Sequence, residues 1–267
     1  MRVAVVGHVE WVQFARVPHV PVAGEILHAS ETWEAAGGGG AVAAVVLARL
    51  AGAADFLTAM GDDEYGRRAA EGLTGEGVTV HVAWRPEPQR RGFTFIDDDH
   101  ERTITVTGRR LVPHAADPLP WTALGDADAV YFTGGDAAAL RAARAARMLV
   151  ATPRARSALA DAGVTLDALV LSGSDPGEAY REGELDPPPR LVVTTLGAEG
   201  GRYVSAEGRT GSWAAAPLPG PPVDAYGAGD SFAAALTYAL GRGLDVDAAL
   251  EEAAGAGAAA LASRGPY

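Results

Sequence analysis

Asp224-Ala225-Tyr226-Gly227-Ala228-Gly229-Asp230-Ser231-Phe232 leaves a proline-rich connector, Pro217 to Pro222, and runs into an apolar stretch that reaches Leu240. The connector cannot continue a helix, whereas the stretch after Phe232 has the length and pattern of one. Glycines at the junction let the chain turn tightly and leave main-chain N–H groups facing outward, a ready anion site. Asp230 then falls in the first helical turn, within reach of a group held by those donors. Capping or the helix dipole would account for such an aspartate without any chemistry, so the turn alone does not assign it.

Upstream, the same strand–turn–helix grammar repeats. Val3 to Val6 reads as a buried strand ending at Gly7, and Gly37-Gly38-Gly39-Gly40 opens a helical pattern from Ala41 to Leu50 that stops at Gly52. Phe56 to Met60 is a strand followed by helical residues 64 to 73, and strands are expected at 129–133, 167–171 and 191–195, with a helix over 136–147. This alternation predicts parallel βα units. Short β-like stretches, among them Ile26-Leu27 and Thr32-Trp33, occupy 8–33, and two β-rich runs, 92–96 and 103–107, flank the polar stretch Asp97 to Arg102 as a hairpin does. An antiparallel hairpin inside a parallel chain suggests an appended lid. The stretch Ala253 to Ala260 reads as a closely packed helix.

Composition bounds the function. The 267 residues suit one large α/β domain with a small appendage, and 48% hydrophobic against 21% charged residues supports a sizeable core. Net charge is −12, with arginine the only strong base, which argues against coating nucleic acid or an anionic membrane. The absence of cysteine removes disulfides, thiolate metal sites and cysteine nucleophiles. No apolar run has membrane-spanning length and no signal peptide is evident, so a cytoplasmic protein is expected. Without lysine there is no G-x-x-x-x-G-K-[ST] loop, and no G-x-G-x-x-G follows the first strand, which disfavours a nicotinamide dehydrogenase. Thr194-Thr195-Leu196-Gly197, with Gly200 after it, puts a hydroxyl and a close turn at a strand's carboxyl end. Asp175 and Glu178 have a spacing that lets two carboxylates help hold hydrated Mg²⁺.

Taken in order, the glycine run at 37–40 with Ala48-Arg49-Leu50-Ala51-Gly52, Gly61 to Gly66, Glu101 to Ile104, Thr195-Leu196-Gly197 and Asp224 to Asp230 resemble the ribokinase-like (phosphofructokinase B type) carbohydrate kinases over essentially the whole chain. The resemblance implies a three-layer, doubly wound, mostly parallel sheet over residues 1–267, with a small β-lid drawn from about 8–33 and 80–108. It implies transfer of the γ-phosphoryl of ATP to a hydroxyl of a sugar or sugar-like molecule. Asp230 would take the hydroxyl proton, and the N–H groups of Gly227, Ala228 and Gly229 would form the anion hole. Thr195, Gly197 and Gly200 would lie on the ATP side. Gly38, Gly39, Glu10, Val12 and Val42 would line the acceptor pocket with Asp230.

The family's Asn-x-x-Glu pattern falls on Asp175-Pro176-Gly177-Glu178, the implied Mg²⁺ residues. A family potassium site near Asp224 would need a second loop around Arg264-Gly265. Dimers through the lid also occur in the family.

Departures cluster at the acceptor end. Val12 stands where the family often has an aspartate, Val42 replaces the asparagine after the glycine run, and Gly39 replaces a frequent lysine. Losing two polar contacts to sugar hydroxyls costs about 1–3 kcal/mol each for a simple pentose, so ribokinase itself is not expected. Glu10, Trp11, Gln13 and Arg91 could supply other contacts. Two other readings stay open: a nucleoside kinase with Trp11 stacking a base, and a non-catalytic binder of nucleotide or ligand.

Overall fold

A computed structural model describes residues 1–267. The chain runs through β1 (Val3–His8), β2 (Glu10–Arg16), β3 (Glu31–Gly37), α1 (Gly39–Ala51), β4 (Ala54–Gly61), α2 (Glu64–Gly75), β5 (Val78–Arg85), β6 (Arg91–Ile96), β7 (Arg102–Thr107) and β8 (Ala129–Phe132). It continues through α3 (Ala137–Ala143), β9 (Met148–Ala151), α4 (Arg156–Ala162), β10 (Ala168–Ser172), β11 (Leu191–Thr195), β12 (Gly201–Ser205), β13 (Thr210–Trp213), α5 (Ala228–Gly241) and α6 (Val246–Leu261).

Nine strands form one sheet in the order β13-β12-β11-β10-β9-β8-β1-β4-β5. All its pairings are parallel except those joining β11, β12 and β13. Alternate residues of the central strands feed opposite faces. Val3, Val5 and Tyr131 join the core beneath α1, α5 and α6, while Ala4, Val6 and Phe132 join the core beneath α3 and α4. Strands buried on both faces explain the unbroken apolar runs in the sequence. The result is a three-layer, doubly wound fold.

A second sheet, β3-β2-β6-β7, stands apart from the first. The hairpin of β6 and β7 lies where the sequence predicts it, paired from Arg91↔Thr107 to Ile96↔Arg102. Two boundaries shift. β5 belongs to the large sheet, hydrogen-bonded along its length to β4, so the small sheet takes only Arg91 onward from the 80–108 stretch. At its other end it extends to Gly37, beyond the expected residue 33. Ile26-Leu27 forms no strand, and Ile26 is 86% exposed.

The helix expected over 136–147 closes at Ala143. Asp136 caps its start by accepting from Ala139 N (2.7 Å), and Arg144 turns back onto the carbonyls of Ala146 and Arg147, freeing the chain to enter β9. The sequence reading missed β9, α4 and the edge pair β12–β13.

Candidate active site

The parallel strands end together on one side of the large sheet, where an open α/β sheet places its ligand crevice. His8 ends β1, Arg154 follows β9, Ser172 ends β10 and Thr195 ends β11. The amino end of α5 enters the same crevice. Gly227 takes a left-handed conformation (φ 78°) that a side chain would resist, and Asp230 sits in the first turn of the helix. The first N–H groups of this helix have no preceding carbonyl to bond.

The two glycine turns meet at Asp230. A Cβ added to Gly39 would stand 2.6 Å from Asp230 Oδ1, so the carboxylate lies directly on the start of α1. Burial raises the Asp230 pKa to about 6, and the neighbouring Arg154 works against that rise. A carboxylate with this pKa is ionised at neutral pH and still basic enough to share a hydroxyl proton.

Facing it is a group of cations. Arg90 Nε lies 2.7 Å from Glu10 Oε1 as an ion pair, yet out of line for a hydrogen bond, which leaves that N–H without a partner. Arg110 is more unusual. Its guanidinium donates to Thr133 O (2.7 Å), to His8 Nδ1 (2.8 Å) and to Arg154 O (2.8 Å), all neutral acceptors, and its Nε–H has none. Burial, then Arg154 and Arg90, pull the Arg110 pKa down to about 10. His8, buried beside these arginines, is held well below its ordinary value by burial and by their charge, so its ring is neutral and can accept from Arg110.

Gly38, Gly39 and Glu10 join Asp230 here as the sequence anticipates: a Cβ on Gly38 would lie 3.2 Å from His8 Nε2 and 3.3 Å from Glu10 Cγ. Val12 and Val42 do not line an open pocket. Both are fully buried in one apolar cluster with Phe14, Ile96 and Tyr226, and the Tyr226 hydroxyl accepts from Gly38 N (2.9 Å). The two valines form one apolar plug beneath the glycine turn.

Trp11, Gln13 and Arg91 fall on the opposite face of the small sheet. Trp11 pairs with Arg91 across β2 and β6; Arg68 stacks over the Trp11 ring at 4.4 Å and Arg91 over Tyr65 at 4.9 Å. Trp11 packs the sheet onto α2, which removes the basis for base stacking.

On the other side of Asp230, Thr195 Oγ1 donates to Leu171 O (3.4 Å), and Gly197 (φ 59°) opens a short turn ending at Gly200. Gly200 has a packing reason of its own, since its Cβ would meet Ala214 C at 2.8 Å.

The metal residues do not fit their expected use. Arg154 donates to Glu178 Oε1 and Asp175 Oδ2, each at 2.5 Å, while Ser172 N bonds Glu178 Oε2 and Gly177 N bonds Asp175 Oδ1. All four oxygens have donors. Asp224 is similarly engaged, with Tyr226 N on Oδ1 (2.9 Å) and Gly265 N on Oδ2 (2.8 Å). The flanking carbonyls accept from Arg16 and His100 at Val223 and from Arg102 at Ala225.

His8, Arg90, Arg110 and Arg154 were not anticipated. Arg90-Arg91 and Arg109-Arg110 bracket the hairpin in the sequence, but only the fold shows which member of each pair turns inward.

The family model described as the pfkB family carbohydrate kinase matches residues 1–172 and 178–267. The chain belongs to this family. It is therefore an ATP-dependent carbohydrate kinase. It is 30% identical to an ATP-dependent ribose-1-phosphate kinase of Halopiger xanaduensis, over 97% of this chain and 91% of that one. The fold is that of the ribokinase of Thermotoga maritima (TM-score 0.76, 21% identity, 100% and 94% of the two chains). A probable sugar kinase of Rhizobium etli shares it too (TM-score 0.79, 17% identity, 99% and 94%). No helix is long and apolar enough to cross a membrane.

Proposed function

We propose that this kinase phosphorylates a hydroxyl of a sugar that already carries a phosphate, with a pentose phosphate as the first candidate. Arg110 carries the reading. A half-buried guanidinium hydrogen-bonded only to two carbonyls and an imidazole, with Glu10 and Asp230 nearby but neither paired with it, is well placed to receive an anion. Arg90, with its own unpartnered Nε–H, adds a second fork, and planar forks suit phosphate oxygens. The ribose-1-phosphate kinase relative supports the same class of acceptor. The apolar plug of Val12, Val42 and Tyr226 also fits, because it removes hydroxyl-binding groups on one side while the arginines add anion-binding groups on the other.

In this reading Asp230 accepts the proton of the attacking hydroxyl. The main-chain N–H groups of Gly227, Ala228 and Gly229 stabilise charge developing on the transferred phosphoryl group, and positioning supplies most of the rest. Thr195 and Gly197 border the nucleotide phosphates. The magnesium that accompanies ATP would offset phosphate charge. The small sheet acts as a lid whose inner face carries Glu10 and whose β2–β6 register orients Arg90. Its outermost strand, β7, is exposed along its whole length and offers an edge for a second copy of the chain.

The deciding experiment measures ADP release with ribose-1-phosphate, other pentose phosphates, free pentoses and nucleosides, beside Asp230→Ala. Turnover of a sugar phosphate at least tenfold above its free sugar, lost in Asp230→Ala, is expected. Equal turnover of the free sugar would overturn the phosphate assignment.

A further inference from the structure

The loop between β10 and β11 carries two carboxylates whose spacing suggests a metal pair, and the structure gives them a different cation. Arg154 enters from the turn after β9, where Thr152 accepts from its N–H and Pro153 starts a short 3-10 turn. Its Nε donates to Glu178 and its terminal nitrogen to Asp175, while its own carbonyl accepts from Arg110. One guanidinium thus bridges both acids in a two-pronged geometry matched to carboxylates. Glu178 is only 8% exposed and accepts from Ser172 N with its second oxygen, so both of its oxygens are engaged.

A hard divalent ion needs open carboxylate oxygens and room for its waters. Here each oxygen of the pair already takes one donor, and a guanidinium sits between the two acids where a cation would. The family match also breaks over residues 173–177, the very segment that holds Asp175.

We infer that Arg154 is the resident cation of the Asp175–Glu178 pair, fixing this loop beside the Asp230 crevice and keeping the pair from binding a divalent metal of its own. The inference depends on these contacts and not on which acceptor the enzyme uses. Arg154 is thereby a positioning residue, since its guanidinium acts on two acids that frame the site. Its charge also reaches Asp230, for which it is the foremost influence after burial.

Manganese binding without nucleotide, followed by the electron paramagnetic resonance signal of free Mn²⁺, tests this apart from turnover. Wild-type protein is expected to show no stoichiometric site. Arg154→Met, which keeps bulk and removes charge, should gain one at least about tenfold tighter, and adding Glu178→Gln should abolish it. If Arg154→Met does not fold, wild type against Glu178→Gln still decides. A wild-type Mn²⁺ site lost in Glu178→Gln overturns the inference, as does a folded Arg154→Met that gains none.

Discussion

Arginines gather at both ends of the large sheet, and the two groups differ in what their donors find. At the amino ends of β9, β10 and β11, Arg144, Arg147 and Arg190 border an open cleft of about 480 Å³. Asp167 sits among them, taking Arg144 (2.7 Å), Arg190 (3.1 Å) and Leu149 N (2.7 Å), and Arg147 reaches Asp128 and Gly241 O. Every guanidinium there has a carboxylate. At the carboxyl ends, Arg90, Arg110 and Arg154 crowd closely enough to depress the Arg110 pKa, and Arg110 has no carboxylate of its own. At one end every guanidinium is paired with an acid; at the other Arg90 and Arg154 are paired and Arg110 is not. Count and clustering do not separate the two groups; the unpaired donor does.

The comparison is most severely tested at Asp230, the acid facing the second group. Asp230→Ala should lower kcat by about 10²–10⁴ while nucleotide affinity stays near wild type, read by steady-state kinetics beside nucleotide titration. Near-normal turnover would remove it from the base role and leave the arginines without a reacting partner. Arg110→Ala comes next. Losing a charge-assisted contact to phosphate, worth about 1.5–3 kcal/mol, should raise KM for the sugar phosphate roughly 10–150-fold with a smaller change for an unphosphorylated sugar. An equal loss on both substrates would make Arg110 structural, like Arg144.

How much of this was legible in the sequence follows from the range of the contacts involved. The turn at 227–230 and the glycine run before α1 are local, because left-handed glycines and a helix start are written in adjacent residues, while their meeting at Asp230 is implied only by the family resemblance. The hairpin of β6 and β7 was equally local. Its separation from the large sheet was foreseen, though the boundary at β5 was not, since a strand alone does not say which neighbour it pairs with. The arginine group could not be read at all. Arg90, Arg110 and Arg154 come from three segments, and what sets Arg110 apart is a missing acid partner, a property of packing. Asp175 and Glu178 show the converse: the spacing was right for a metal, and a guanidinium more than 20 residues away had already taken it.

A pH profile sharpens the contrast between paired and unpaired charge. With its folded pKa raised to about 6, Asp230 loses its base form as pH falls through that value, so kcat/KM should drop on the acid side with an apparent pKa near 6. Stability runs the other way. Between the ordinary carboxylate value and about 6 the folded protein holds the extra proton, so the stabilising effect of that proton is complete at low pH and gone above 6. Asp230→Asn should therefore be inactive yet about 1–3 kcal/mol more stable than wild type at pH 8, the advantage shrinking toward pH 4, as read by urea unfolding. Destabilisation at pH 8 would mean that Arg154 fully compensates the buried charge.

The smallest effect belongs to the amino-end arginines, and it closes the comparison. Arg190 is 69% exposed along its side chain and shares Asp167 with Arg144, so Arg190→Ala leaves the acid one guanidinium and Leu149 N. With its arginine this exposed and its buried acid still held by Arg144, the pair contributes about 0–1 kcal/mol. The variant should unfold within that margin of wild type and keep kcat and KM for every acceptor. Should Arg190→Ala instead change KM for a sugar phosphate or for ATP, the cleft at the amino ends would be acting on the site across the sheet, and pairing with carboxylates would no longer mark an arginine group as structural.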